Sequence, residues 1–201
     1  MMYDWRAVPV AAVAVVAVIG RLTFASGDGE VPVQVVTRTE WQARPSNGSI
    51  GSNELPLPRA VIAHTAGVRC NSDEACIQQV RNLQQYQMDT LGFSDIGYHY
   101  LIGDNGRVYE GRSPNQRASF AGRNNGGSLA IAFIGNFDEE LPAEGSLETA
   151  KSLIQQSVLQ KHLAENYELL GHRQVSATKS PGDALFADIK QWPNWSNKSL
   201  L

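Results

Sequence analysis

Two histidines from distant segments are the residues best suited to chemistry in this chain: His64 in the apolar run Ala60–Ala66 and His172 in the stretch Tyr167–Pro181. Imidazoles gathered from separate segments suggest a zinc site, and a zinc hydrolase takes a third protein ligand beside them. In YELLGHRQVSATKSP the place where that ligand is expected holds Ser180. A neutral hydroxyl lacks the charge and softness that make a thiolate a good zinc donor. From composition alone, two unrelated histidines, each satisfied by a hydrogen bond, are the more ordinary reading. Tyr98 has a phenolic proton to offer a bound oxyanion, or a hydroxyl paired in the core. Ser180 has a structural reading too. Ser180-Pro181-Gly182-Asp183 matches the S-x-x-D capping pattern, with proline at the first helical position. No G-x-S-x-G elbow is present, so a serine nucleophile is not expected.

Certain elements must position these residues. Ala60–His64 is apolar and uncharged, the pattern of a buried strand that ends by delivering His64 to a cleft. Tyr98–Ile102 and Arg107–Glu110 read as strands joined through Asp104-Asn105-Gly106, a hairpin signal. Leu129–Ile134 suits a central strand, Val33–Thr37 a short one, and Leu169–Leu170 a brief one leading to His172. Ser72–Leu91 predicts a helix, with Ser72 as N-cap, Asp73 and Glu74 in the first turn, Ile77, Val80 and Leu83 on its apolar face, and Gly92 at its end. Ser146–Glu165 predicts a second helix that buries Leu147, Ala150, Ile154 and Val158. A last helix begins near Pro181 and stops before Trp192-Pro193. Glu40-Trp41 and Arg44–Pro58 read as irregular surface, and Ser113–Gly127 as a long polar loop. Strands and helices alternate without a regular βαβ repeat. The expectation is therefore α/β, a single domain with a central mixed β-sheet and flanking helices.

The chain's 201 residues suffice for one domain with a sizeable core once a leader is removed. A net charge of -3 gives no basic footprint for nucleic acid. Val8–Ile19 is apolar, preceded by Arg6, and too short to span a bilayer. It reads as the core of a secretory signal over residues 1–27, with the domain over residues 28–201 and the protein secreted and extracellular. Cys70 and Cys76 sit close enough in GVRCNSDEAC to close a small disulfide, in keeping with that compartment. Asn47, Asn194 and Asn197 head Asn-x-Ser triplets, a weak further hint.

Taken together, IAHTAG (Ile62–Gly67), the Cys70/Cys76 pair, DIGYHYLIG (Asp95–Gly103), VYEGR (Val108–Arg112), SLAIAFIGNF (Ser128–Phe137), LLGHRQV (Leu169–Val175) and ATKSPGDALF (Ala177–Phe186) resemble the peptidoglycan recognition proteins. These are related to the phage-lysozyme-type zinc amidases, and EGRSP and ATKSPG look closest to short secreted insect members of the SD type. The resemblance runs from about Val35 to Trp195. It implies the amidase fold and a groove for muramyl peptide. It also implies an amidase site of two histidines and a cysteine around zinc, assisted by a tyrosine and a threonine. On this chain those positions are His64, His172, Ser180, Tyr98 and Thr178, so the thiolate is missing.

The resemblance therefore implies a receptor for bacterial peptidoglycan with no amidase activity and no zinc cofactor. His64, Thr65, Gln87, Tyr98, Arg112, Phe120, Asn125 and His172 would line the groove. The partner would be another peptidoglycan recognition receptor or an immune signalling protein, since a short secreted domain cannot signal alone. The groove departs from the family pattern at Gln87, at Phe120, at Ser113-Pro114 and at Gly127, so the usual determinants for diaminopimelate-type stems are absent. Arg112, Arg117 and Arg123 remain as guanidinium candidates for a stem carboxylate. Two alternatives stand beside this reading: a residual zinc amidase completed by Ser180 or water, and an adaptor whose main ligand is another protein.

Overall fold

The computed structural model describes residues 33–201, so the expected leader lies outside the described residues. Six strands form one sheet in the order β1-β4-β3-β5-β2-β6. These are β1 (Val35–Val36), β2 (Leu57–His64), β3 (Tyr100–Ile102), β4 (Val108–Glu110), β5 (Ser128–Phe133) and β6 (Leu163–Gly171). All neighbours run parallel except the β3–β4 hairpin, which turns at Gly106 with φ of 73°. Glycine adopts that backbone without a Cβ penalty, as the Asp-Asn-Gly signal requires.

The period of two along β5 divides the core. Leu129, Ile131 and Phe133 pack toward α2 (Glu144–Leu159) and α3 (Asp183–Ile189), meeting Leu153, Ile154 and Leu185. Ala130 and Ala132 turn to the other face, where Cys76 and Val80 of α1 (Asp73–Asp89) cover them. Helix α1 starts as its sequence dictates: the Ser72 hydroxyl accepts from Ala75 N at 3.3 Å, and acidic residues fill the first turn. Cys70 and Cys76 are bridged, tying the entry of that helix to the loop after β2.

Two local expectations are corrected. Helix α2 ends at Leu159, not Glu165, because the chain reverses at Lys161 with φ of 60° and returns as a nine-residue strand. That strand pairs with β2 through Leu57↔Leu163 and Ile62↔Gly171. A register shift between Leu57 and Arg59 takes up residues 164–167. Trp41 is fully buried rather than superficial, and its Nε1 donates to Glu110 O at 2.8 Å. Some of the amides on α1 are turned inward. Gln84 is buried and bonds Arg44 N at 2.9 Å and Asp95 Oδ1 at 2.7 Å.

Candidate functional site at the strand ends

Because β2 and β6 are parallel neighbours, both deliver their carboxyl ends to one edge of the sheet, where α/β folds place their ligands. Ile62 lies opposite Gly171, so His64 and His172 leave the sheet side by side. Strand β6 stops at Gly171, while β2 runs on to His64. The His64 backbone is therefore left without a strand partner on that side. Ser180 supplies one: its Oγ accepts from His64 N at 2.9 Å and lies 3.5 Å from His64 O, to which it donates. This overturns the capping role expected of Ser180. Helix α3 is entered through Gly182, at φ of 95°, with no side-chain cap. The turn holding Ser180 is itself tied down. Thr178 Oγ1 accepts from Ser180 N at 3.2 Å, Arg173 N donates to Ser180 O at 2.8 Å, and the Arg173 guanidinium grips Asp183 at 2.6 Å.

Both histidines are buried. His64 Nδ1 accepts from Phe137 N at 3.2 Å, which leaves the ring proton on Nε2. His172 Nε2 lies 3.0 Å from the Phe120 carbonyl, which accepts only from a donor, so the neutral ring is protonated there and its Nδ1 carries the lone pair. That Nδ1 is buried without a partner. Burial holds His64 below the usual imidazole range; Asp138 pulls it back up and Arg173 pushes it further down. Burial likewise lowers His172, opposed by the Phe120 carbonyl and reinforced by the charge on His64.

These features test whether zinc fits. His172 has the form of a metal ligand, donating its other nitrogen to a carbonyl. His64 does not, since the Phe137 amide engages its Nδ1 lone pair and the proton sits on Nε2. Ser180 spends its hydroxyl on backbone. Among the described residues, no group of three or more His, Cys, Asp or Glu side chains is placed to hold a metal. The residues present do not fit a zinc ion.

Phe120 lies between Tyr98 and His172, with ring centroids 5.7 Å and 4.8 Å away. Asn125 Oδ1 fixes that turn, accepting from Phe120 N at 2.8 Å and Ala121 N at 2.7 Å. Burial pushes the Tyr98 phenol up to about 12, so it stays protonated. Gln87 is buried beneath, its Oε1 accepting from Gly97 N at 2.8 Å just before Tyr98. Thr65 accepts from Gly135 N at 3.0 Å and opens onto a shallow pocket of about 220 Å³ against α1, beside Gln79, Asn82 and Tyr86. So His64, Thr65, Tyr98, Phe120 and His172 gather around the strand ends, while Gln87 and Asn125 support the chain that carries them.

Arg112 is the correction within this set. Its guanidinium is buried and donates to Ile96 O at 2.6 Å, Arg117 O at 2.7 Å and Asp95 O at 3.0 Å. A fork already spent on three carbonyls is not available to a stem carboxylate. Arg117 and Arg123 stay on the exposed loop, each with a backbone bond, to Ser52 O and Leu200 O. Sequence reasoning assigned no site role to Phe137 and Asp138, which face His64 from the loop after β5: Phe137 closes the SLAIAFIGNF motif, and nothing marks Asp138.

The sequence matches the N-acetylmuramoyl-L-alanine amidase family over residues 53–183. Peptidoglycan-recognition protein SD of Drosophila melanogaster is 63% identical over 177 residues, covering 88% of this chain and 94% of that protein. This chain belongs to the peptidoglycan recognition protein family. Its likeness is to the SD type: the crystal structure of the Drosophila SD protein superposes with a TM-score of 0.83 at 64% identity, covering 84% of this chain and all of that one. The ectodomain complex of recognition proteins LCa and LCx bound to tracheal cytotoxin matches with a TM-score of 0.80 at 43% identity, covering 82% of this chain and 99% of that one. Mouse peptidoglycan recognition protein 1 is 43% identical over 162 residues, covering 80% of this chain and 88% of that protein. The mixed-sheet amidase fold expected from the motifs is the fold observed.

Proposed function

We propose that this protein binds bacterial peptidoglycan in the cleft at the strand ends and does not hydrolyse it. The observation that carries this reading is Ser180. It stands where the amidases of the family need a thiolate, and its hydroxyl is held by the backbone of His64 at 2.9 Å. Two imidazoles without a charged third ligand hold zinc weakly and do not acidify a bound water to a useful nucleophile. Phe120 and Thr65, both partly exposed around the strand ends, offer an aromatic face and a polar group for recognition. The SD-type relatives and the LCa–LCx complex with tracheal cytotoxin support peptidoglycan as the ligand class and a second recognition receptor as the partner. Secretion is supported by the apolar run Val8–Ile19 and the Cys70–Cys76 bridge. No helix among the described residues is long and apolar enough to cross a membrane.

The test is cosedimentation of the mature protein with purified lysine-type and diaminopimelate-type peptidoglycan, in zinc and in chelator, with an assay for released stem peptide on the same samples. The expected result is binding that survives the chelator, with no peptide released. Chelator-sensitive release would make the protein an enzyme. Loss of all binding would move the principal ligand to another protein.

A further inference from the structure

We infer that Phe120 is a second lock on the ancestral hydrolytic site, independent of Ser180. The inference rests on the non-hydrolytic reading above and says why replacing one atom does not reverse it. His172 is the one histidine here whose free nitrogen matches a metal ligand, yet that Nδ1 is closed off: it is buried and meets neither protein donor nor solvent. The Phe120 ring packs against His172, its centroid 4.8 Å from that of the imidazole and tilted by 50°. An ion bound at Nδ1 needs open space about 2 Å from the nitrogen for itself, and more beyond for its other ligands.

Phe120 cannot easily withdraw. Its carbonyl takes the His172 Nε2 proton, and its amide donates to Asn125 Oδ1 at 2.8 Å. Its ring packs on two apolar clusters at once, one holding Tyr98 and Ala130, the other Val61, Leu170 and Val175. The backbone bond that orients His172 and the ring that packs against it thus come from the same residue. A hydrolytic site would need the first without the second. The ring also separates Tyr98 from His172, two side chains that a shared substrate atom would have to touch together. Restoring a thiolate at position 180 supplies charge but leaves this obstruction in place.

The experiment is a zinc titration, by competition with a chromogenic chelator, of wild type, Ser180→Cys, Phe120→Ala and the double variant. Melting temperature and peptidoglycan cosedimentation in chelator are followed on each. Ser180→Cys is expected to bind zinc little better than wild type. The double variant should bind zinc roughly 10- to 100-fold tighter than Ser180→Cys, the range that changes around a metal's immediate ligands produce, through His172 and the new thiolate while His64 stays held by the Phe137 amide. Ser180→Cys is decisive by itself because it keeps the Phe120 packing: tight, stoichiometric zinc binding by that variant overturns the inference. So does a folded double variant that binds zinc no better than Ser180→Cys. Failure of wild type to bind peptidoglycan would sink the recognition reading instead, and the titration would still judge Phe120.

Discussion

His99 and His172 are both buried, and each presents Nε2 to a backbone carbonyl, Gln116 O at 2.9 Å and Phe120 O at 3.0 Å. Their other nitrogens differ. His99 Nδ1 accepts from Ala130 N at 2.8 Å, so the ring stitches the polar loop to central strand β5 with both ring nitrogens used. His172 Nδ1 has no partner. A buried polar atom left unpaired costs stability and returns none, so folded chains leave few of them. The first histidine is therefore part of the scaffold. The second carries a nitrogen that the fold leaves without a partner, so it is the less tightly built into the scaffold. The contrast separates the two kinds of buried histidine by hydrogen bonding rather than by burial.

The largest expected effect follows from that distinction. His99→Ala opens a cavity and strands both the Ala130 amide and the Gln116 carbonyl, costing about 3–4 kcal/mol in urea unfolding. His172→Ala strands only the Phe120 carbonyl and deletes a nitrogen that was already unpaired. Its cost should be about 1–2 kcal/mol. Equal losses, or the reverse order, would break the comparison.

Acid sharpens it next. Burial brings His99 down to about 4, against about 6.5 in an unfolded chain. On lowering the pH the unfolded chain binds this proton first. The full stability is thus present above about 6.5 and is lost progressively as the pH falls toward 4, by about 3 kcal/mol in all. His64 and His172 are shifted in the same direction and add to the loss with the same sign. A pH series of unfolding free energies should be steeper between 6.5 and 4 for wild type than for His99→Gln. Parallel curves would remove His99 as the main acid-sensitive group.

Much of this architecture is legible in the sequence because it rests on local rules. The Ser72 cap, the Asn105-Gly106 turn and the apolar runs of β2 and β5 each carry their own signal, and β2 ends on His64 as its pattern demands. Strand β6 does not, because pairing with β2 decides it. Its residues 164–167 continue a helical pattern, and they enter the strand inside the register shift between the β2-paired Leu163 and Glu168. Side-chain roles fail for the same reason. Arg112 looks like a surface guanidinium until the fold surrounds it with three carbonyls. The resemblance implies one cleft for Tyr98, Phe120 and His172, but nothing in the chain says that Phe120 packs against both of the others. Ser180 shows the limit most clearly: its capping pattern is local and correct in form, and a partner 116 residues away takes the hydroxyl instead.

That partner makes the smallest prediction the most specific. Ser180→Ala removes the hydroxyl that finishes the β2 edge and leaves the His64 amide unpaired, a cost of about 1–2 kcal/mol. The loss belongs to the scaffold, so chelator-resistant binding to peptidoglycan should persist once unfolded protein is discounted. Thermal melts and cosedimentation on the same preparations check both halves. If stability is unchanged, the bond from Ser180 to His64 does not close the strand, and its hydroxyl is free for other work. If stability falls as expected but binding also disappears in the folded fraction, Ser180 acts on the ligand through His64. The cleft would then resemble the scaffold around His99, its working residues inseparable from the backbone that holds them.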